Sequence, residues 1–498
     1  MINDYDVVII GGTSTGRYAA LHAAQRKARV ALVESHFSQD LIANYSVEEI
    51  SKLFQRMNDV SSFGINSVCT HSQSNQEEIY GVNNNKENKC YLSWEWKQTI
   101  RYLDVLLAKH QEKLSVGFLA SQGVDIIFGK GQFQSTNGVV FAVEDRLIRA
   151  RRYLLATESL SAIPDIEGIE TAGFVTMENI WHSWKESSIP KEWVIIGGLP
   201  FGVSSAQVLA SLGCKVTMVI EHPLILPRLD TEIAGLLQAE LEAQGIKILT
   251  QTSVTQVKKI DDKKWLQIGD KAVEADEILV AARRKPNIDG LNLASVGVKL
   301  HQNRLVVNKK LQTTNKHIYA CGEIIGGDNI ANIATYEAEV ALKNSLFLPI
   351  HQANYHNIPW AIFAQPTAAQ VGLSEAQAHR RYGKTKITIL RHYFKNLTAA
   401  QVKDEIGGMC KLMVLRNGEI VGASIIGTSA AELINLIALA MSNKIKVGSL
   451  ASFFPTEPSF SETLQQLVNI WQEKKLDRDN FTNNFRESFF YIRRSWNL

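Results

Sequence analysis

Two short glycine-rich segments, each followed by an acid, are the first residues in this chain whose types and spacing can do chemistry. The first, Gly11-Gly12-Thr13-Ser14-Thr15-Gly16, follows the apolar run Val7 to Ile10. A helix is expected over Arg17 to Arg26, then a strand over Arg29 to Val33 closed by Glu34. Glycines let a backbone turn tightly and approach a pyrophosphate, a helix N-terminus offers amide donors, and an acid ending the second strand accepts from ribose hydroxyls. A second copy reads Gly197-Gly198-Leu199-Pro200-Phe201-Gly202 after the strand Trp193 to Ile196. A helix from Val203 to Leu212 and a strand from Lys215 to Ile220 follow it, ending at Glu221. One glycine turn is a weak signal, whereas two, each with strand, helix and acid in order, point to two dinucleotide folds in one chain. Glu221, where an arginine would favour NADPH, fits the free ribose of NADH; its purely structural reading is a solvated strand end.

The elements that position these turns need room, and 498 residues provide it, suggesting about three domains of about 150 residues each. A hydrophobic fraction of 45% with 21% charged residues is that of a soluble globular enzyme and excludes a disordered chain. A formal charge of +3 gives no broad basic surface for nucleic acid. Apolar stretches such as Leu433 to Met441 fall short of the roughly 20 residues of a membrane span, and the N-terminus lacks a secretory series. Cys69, Cys90, Cys214, Cys321 and Cys410 are scattered and form neither a disulfide framework nor a metal-ligand spacing. A cytoplasmic protein with no metal site is the expectation.

With both fingerprints in view, the chain resembles the class I pyridine nucleotide-disulfide oxidoreductases, the family of dihydrolipoamide dehydrogenase and mercuric reductase, over nearly its whole length. Ala156-Thr157-Glu158-Ser159 with Ile163-Pro164-Asp165-Ile166 is similar to the family's crossing from its FAD domain to its NAD domain. Ile225-Leu226-Pro227-Arg228-Leu229-Asp230 resembles the segment after the second fingerprint, and Ala282-Arg283-Arg284-Lys285-Pro286-Asn287 the crossing back. Ile318-Tyr319-Ala320-Cys321-Gly322-Glu323 resembles the strand and acid that hold the flavin's ribityl chain. Pro359 to Leu373 and Pro455 to Glu462 resemble the C-terminal dimerisation domain. The resemblance implies an α/β fold with two Rossmann-like nucleotide-binding domains, of FAD and NAD type, plus an α+β dimerisation domain, and a homodimer. It divides the chain into an FAD-type domain over 1–160 and 284–350, an NAD-type domain over 161–283, a dimerisation domain over 351–475 and a tail over 476–498. A polar insertion over 66–90 reads as a mobile surface loop, with a lid as the other reading. In the tail, Phe485, Phe489, Phe490, Ile492 and Trp496 alternate with Arg486, Arg493 and Arg494. That mixture suits docking on the protein's own dimer, a membrane surface or a protein partner.

The chain departs from the family where the family's chemistry lies. Members pass electrons from NAD(P)H to flavin and on to a C-x-x-x-x-C pair shortly after the first acid. Ser35 to Val68 contains no cysteine, and neither Cys69 nor Cys90 has a partner at that spacing. Disulfide exchange needs one thiolate to attack and one thiol to leave, so it is not expected here. Glu457 stands where the family has a histidine, with Glu462 at the position of its orienting acid; a glutamate needs burial to move protons near neutral pH. Ser204 stands where the family has a glutamate near the flavin. Thr13 and Leu199 replace the middle glycines, and Glu158 stands at a glycine close to FAD. Arg283 replaces a glycine beside the NAD site, where it either neutralises a phosphate or fills the pocket. Glu323 keeps the acid for ribityl hydroxyls, one methylene longer than the usual aspartate. Two functions follow: a flavoenzyme that takes hydride from NADH and hands electrons straight from FAD to an acceptor, supported by Gly11, Gly12, Gly16, Glu34, Gly322, Glu323, Gly197, Gly198, Gly202 and Glu221; or a catalytically silent homologue acting as a partner-binding or nucleotide-sensing dimer.

Overall fold

The computed structural model describes residues 4–35, 101–102, 105, 109, 112–135, 138–180, 183, 189–326, 330–478 and 480–496. The polar insertion, the segment between Ser35 and Val68, Cys69 and Cys90 fall outside the described residues.

Near-continuous Val/Ile/Leu runs form buried parallel strands, because helices cover both faces of such a sheet. The first sheet is parallel throughout, in the order Ile318–Ala320, Ala150–Leu155, Tyr5–Ile10, Val30–Glu34, Val124–Phe128. The helix Ser14–Gln25 leaves its central strand, and Val8, Ile10, Ala31, Val33 and Leu155 are buried together on one face. The second sheet repeats the plan in the order Lys247–Thr250, Lys215–Ile220, Glu192–Ile196, Glu277–Val280, Val175–Thr176. Its helix, Pro200–Ser211, leaves the central strand at the glycine turn. The two crossing segments meet: Ser159–Ala162 pairs antiparallel with Arg283–Pro286, Arg283 opposite Ala162. The C-terminal unit is a five-stranded antiparallel sheet, Trp360–Ile362, Ala368–Gly372, Ile420–Ile426, Met409–Leu415, Ile387–Tyr393. Helices Ala430–Ser442 and Glu462–Arg478 pack on it around Leu433, Ile437, Leu467 and Trp471.

Both fingerprint helices begin three residues earlier than the apolar pattern predicts, and local chemistry explains each. Thr13 caps the first, its hydroxyl accepting from the Gly16 amide at 3.0 Å, which satisfies a donor that a helix start leaves open. Pro200 opens the second, where its fixed φ suits the first helical position and its missing N–H costs nothing.

A buried charged cluster joins the second nucleotide fold to the C-terminal sheet. Lys411, 2% exposed, donates to Asp230 Oδ1 at 2.7 Å and Glu232 Oε2 at 2.8 Å, and lies 2.6 Å from Glu375 Oε2. Asp230 also caps the helix Thr231–Ala243 and accepts from the Glu375 amide at 2.9 Å. Burial pulls the Lys411 ammonium down, but hydrogen bonds to Asp230, Glu232 and Glu375 outweigh it and hold its pKa above the ordinary lysine value.

Candidate nucleotide sites

At the first turn, Gly11 and Gly16 leave no room for a side chain: a Cβ on Gly11 would lie 2.3 Å from the Ala156 carbonyl, and one on Gly16 2.1 Å from the Gly11 carbonyl. The Thr13 side chain, at the middle-glycine position, folds inward and donates to the Ala156 carbonyl at 2.7 Å. Glu34 ends its strand as the pattern predicts, but it is buried under Arg17, the residue after the last fingerprint glycine. Arg17 NH2 donates to Glu34 Oε1 at 2.9 Å and Oε2 at 3.0 Å, and Nε to Oε2 at 3.2 Å. A further donor, NH1, reaches the Leu114 carbonyl at 2.9 Å. Arg17 is 4% exposed and Glu34 2%, so the pair is sealed from solvent.

Glu323, from the turn after strand Ile318–Ala320, is held in the same manner. Its Oε2 accepts from Ser159 N at 3.1 Å, Ser159 Oγ at 2.6 Å and Arg284 NH2 at 3.0 Å. Arg284 also reaches Glu178 Oε1 at 3.1 Å, and Glu178 accepts from Ser161 N and Oγ, both at 2.8 Å. Behind the turn, the buried Glu337 accepts from Gly322 N at 2.7 Å and Tyr355 Oη at 2.8 Å; burial raises its pKa against both hydrogen bonds. Glu158 is buried, and its Oε1 lies 3.4 Å from Asn287 Nδ2.

The second turn opens onto a cavity of about 790 Å³. Gly197, Gly198, Leu199, Glu221 and Arg283 line it from the second nucleotide fold, and Glu323, Gly326 and Arg304 from the first. Gly202 lies within the helix behind them, where a Cβ would meet the Gly197 carbonyl at 2.9 Å. Arg283 does not plug the cavity. Its side chain is exposed and stands 3.8 Å from Glu221, which is exposed as well, a pairing across the rim. Among the described residues, no cysteine lines this cavity.

The structure therefore brings Glu221, Arg283 and Glu323 to one cavity and gathers Gly11, Gly12, Gly16 and Glu34 at the first turn. Glu457 and Glu462 sit apart, in the C-terminal unit. Glu457 is exposed beside Pro458, and Glu462 Oε1 accepts from Ser459 N at 2.6 Å, closing the turn that starts the helix Glu462–Arg478. Sequence reasoning missed Arg17, Arg284, Glu178 and Glu337. The one available signal was two arginines, Arg17 and Arg284, each directly following a singled-out residue.

Among the described residues burial holds every thiol above the ordinary cysteine value. Burial pushes Cys214 up to about 11, helped by Asp276; burial raises Cys321, again with a carboxylate, Glu337, adding to it, and burial alone raises Cys410. A thiol held protonated is neither nucleophile nor metal ligand.

Comparison with known proteins identifies the architecture. Residues 5–339 match the model of the pyridine nucleotide-disulphide oxidoreductases, and residues 358–468 match the dimerisation domain of the same proteins. The chain belongs to the pyridine nucleotide-disulphide oxidoreductase family. Its relatives include dihydrolipoyl dehydrogenase of Bacillus subtilis, 28% identical over 93% of this chain and 97% of that one. Mercuric reductase of Staphylococcus aureus is 25% identical over 93% of this chain and 81% of its own length. Among solved structures, the Cu(II) complex of the HOCl-induced flavoprotein disulfide reductase RclA from Escherichia coli shares the fold, with a TM-score of 0.77, 22% identity, and coverage of 94% of this chain and 100% of that one. The dimerisation-domain match supports the expected homodimer.

Proposed function

We propose that this protein is an FAD-dependent, NADH-linked oxidoreductase that passes electrons from flavin directly to its acceptor, without a cysteine relay. The observation that carries the reading is the single cavity shared by both nucleotide folds, lined by Gly197 to Leu199 and Glu221 on one side and Glu323 and Gly326 on the other. Relatives named for disulfide or mercury reduction and for lipoamide chemistry supply the class of reaction; the residues of this chain supply its limits.

The residues present fit the flavin nucleotide. The Gly11 and Gly16 backbones keep the close approach that a dinucleotide needs. Glu323 spends Oε2 on Ser159 and Arg284 but leaves Oε1 without a partner among the described residues, ready to accept from a ribityl hydroxyl. Glu34 must share its carboxylate between Arg17 and a ribose. When bound, the flavin accepts a hydride from the reduced nicotinamide and passes two electrons to an acceptor. The chain's part is positioning: Glu221 at the rim accepts from the adenosine ribose hydroxyls, the turn at Gly197 and Gly198 admits the pyrophosphate, and Arg283 adds positive charge beside it. With Glu457 exposed and no cysteine pair at the family spacing, neither proton transfer nor thiol exchange through the usual groups is part of this reaction.

The sealed Arg17–Glu34 pair favours a second reading, a nucleotide-sensing dimer that binds NADH at the open cavity and holds no flavin. The visible absorption spectrum of the purified protein, followed by anaerobic NADH, separates them. Flavin bands that bleach support the oxidoreductase. Bands that persist remove the NADH step, and a colourless protein that takes up NADH but not FAD replaces the first reading by the second.

A further inference from the structure

The chain continues beyond the family's own modules. The dimerisation match ends at residue 468, and the B. subtilis relative is used to 97% of its length over 93% of this chain. Past that limit lies the helix Asn480–Ser495. At 16 residues and a rise of about 1.5 Å each, it spans less than the roughly 30 Å of a hydrocarbon core; among the described residues no helix is long and apolar enough to cross a membrane.

The helix is strongly two-sided. Phe489, Ile492 and Trp496 follow one another at i, i+3 and i+7, a spacing that aligns side chains on one face, and the sequence extends the series back through Phe485 and Phe481. Phe489, Phe490, Tyr491, Ile492 and Trp496 are all exposed, Trp496 at 70%. Arg493 and Arg494 occupy the last turn; with Arg486, they face a single acid, Glu487, across the whole segment. Two such helices packed in parallel would set arginines against arginines. An anionic surface meets the same charges with attraction, and the aromatic rings suit the boundary between headgroups and acyl chains.

We infer that the C-terminal helix lies on an anionic lipid surface, its Phe489–Ile492–Trp496 face in the acyl boundary and its arginines on the headgroups. A homodimer would present two copies, and simultaneous engagement strengthens surface binding without any new contact.

Sedimentation of the full chain with sucrose-loaded vesicles tests this. Vesicles of phosphatidylcholine mixed with phosphatidylglycerol should carry the protein down, and pure phosphatidylcholine should not. Added salt should release it, because surface charge attraction is screened. R493E/R494E and, separately, F489S/I492S/W496S should each weaken binding about tenfold or more, since each basic residue near an anionic surface is worth about fivefold. Circular dichroism, visible absorbance and light-scattering mass are followed in parallel, so that loss of fold or of flavin is distinguished from loss of membrane binding. Failure of the full chain to sediment, equal sedimentation with neutral vesicles, or unchanged binding by both variants overturns the inference. So does an oligomer that dissociates in F489S/I492S/W496S while vesicle binding is absent throughout, which assigns the face to a second copy of the chain.

Discussion

Arg17 and Glu34 offer a direct measure of how far the first nucleotide fold is closed on itself. Three N–H···O contacts between 2.9 and 3.2 Å join them, and neither side chain meets solvent. Arg17→Met leaves a buried carboxylate without this counter-charge, and Glu34→Leu leaves a buried guanidinium without this carboxylate. Breaking a buried pair from either side costs about 3–5 kcal/mol, whereas replacing both members by apolar residues of similar volume is often neutral or stabilising. The double variant R17M/E34L should therefore unfold near the parent, giving a coupling energy of about 3 kcal/mol or more in a double-mutant cycle. For a unit of this size each kcal/mol moves the midpoint by about 2–4 °C, so each single variant should melt about 6 °C or more below the parent. Differential scanning calorimetry on the flavin-free protein reads this for the first fold. Single variants that each cost under about 1 kcal/mol and add within about 0.5 kcal/mol would refute the reasoning, because the pair would then carry no interaction of its own.

Further outcomes follow from the same coordinates. Glu221→Ala should raise the KM for NADH about tenfold, the loss of about 1.4 kcal/mol, with kcat little changed; Arg283→Ala, whose pairing with Glu221 is exposed, should shift the stability by no more than about 1 kcal/mol, and steady-state kinetics with thermal melts check both. Lys411→Met should cost about 3–5 kcal/mol by stranding Asp230, read as a fall in Tm. The pH profile of Tm, compared between the parent and K411M, tests the same cluster: burial pushes the Glu375 carboxyl up, but the hydrogen bond from Lys411 and the charges of Lys411 and Arg391 outweigh it and hold it below 4.5. Its contribution is thus present above pH 4.5 and lost as pH falls through the lower folded value, while that of Lys411 is present below pH 10.5 and lost as pH rises through its raised folded value; a Tm in K411M that falls at both extremes as in the parent contradicts the assignment. Finally, replacing all five cysteines by alanine should leave NADH-dependent reduction of an artificial acceptor within about twofold, measured by stopped-flow absorbance; loss of turnover with flavin still bound would restore a cysteine to the pathway.

Much of the two nucleotide folds was legible because buried parallel strands must be apolar on both faces, so Val7 to Ile10 and Val194 to Ile196 announce themselves without a partner. Turn chemistry and the terminal acids come with the strand, which is why Glu34 and Glu221 lie where the pattern put them. Helix starts were misjudged where a cap decided them: Thr13 and Pro200 act through one hydrogen bond and one fixed dihedral, neither of which has a hydrophobic period. The partners of the acids were not legible at all. Arg284 meets Ser159 across 125 residues and Lys411 meets Asp230 across 181, and no local spacing encodes such a meeting. Lys411 sits in the strand Met409–Leu415 on the face it shares with Met409 and Met413, so its charge and its place in the pattern point opposite ways and the sequence does not say which wins.

The same distinction bears on what the altered sites can do. Replacing a glycine by Thr13, or a histidine by Glu457, reads in the sequence as simple loss. In the structure the Thr13 hydroxyl is spent on the Gly16 amide and the Ala156 carbonyl, so the residue reinforces the turn while its side chain points away from open space. Glu323 behaves likewise: the extra methylene brings Oε2 to Ser159 and Arg284. Its other oxygen has no partner among the described residues. At Thr13 and Glu323, changes that read as damage to a nucleotide site are taken up by hydrogen bonds to the protein, because a buried polar group left unpaired costs about 1–3 kcal/mol. Glu457 is the contrast, exposed in the C-terminal unit where the family's histidine would stand. On the proposed reading, the retained architecture is concentrated at nucleotide binding, and the step after the flavin is where this chain differs from its relatives.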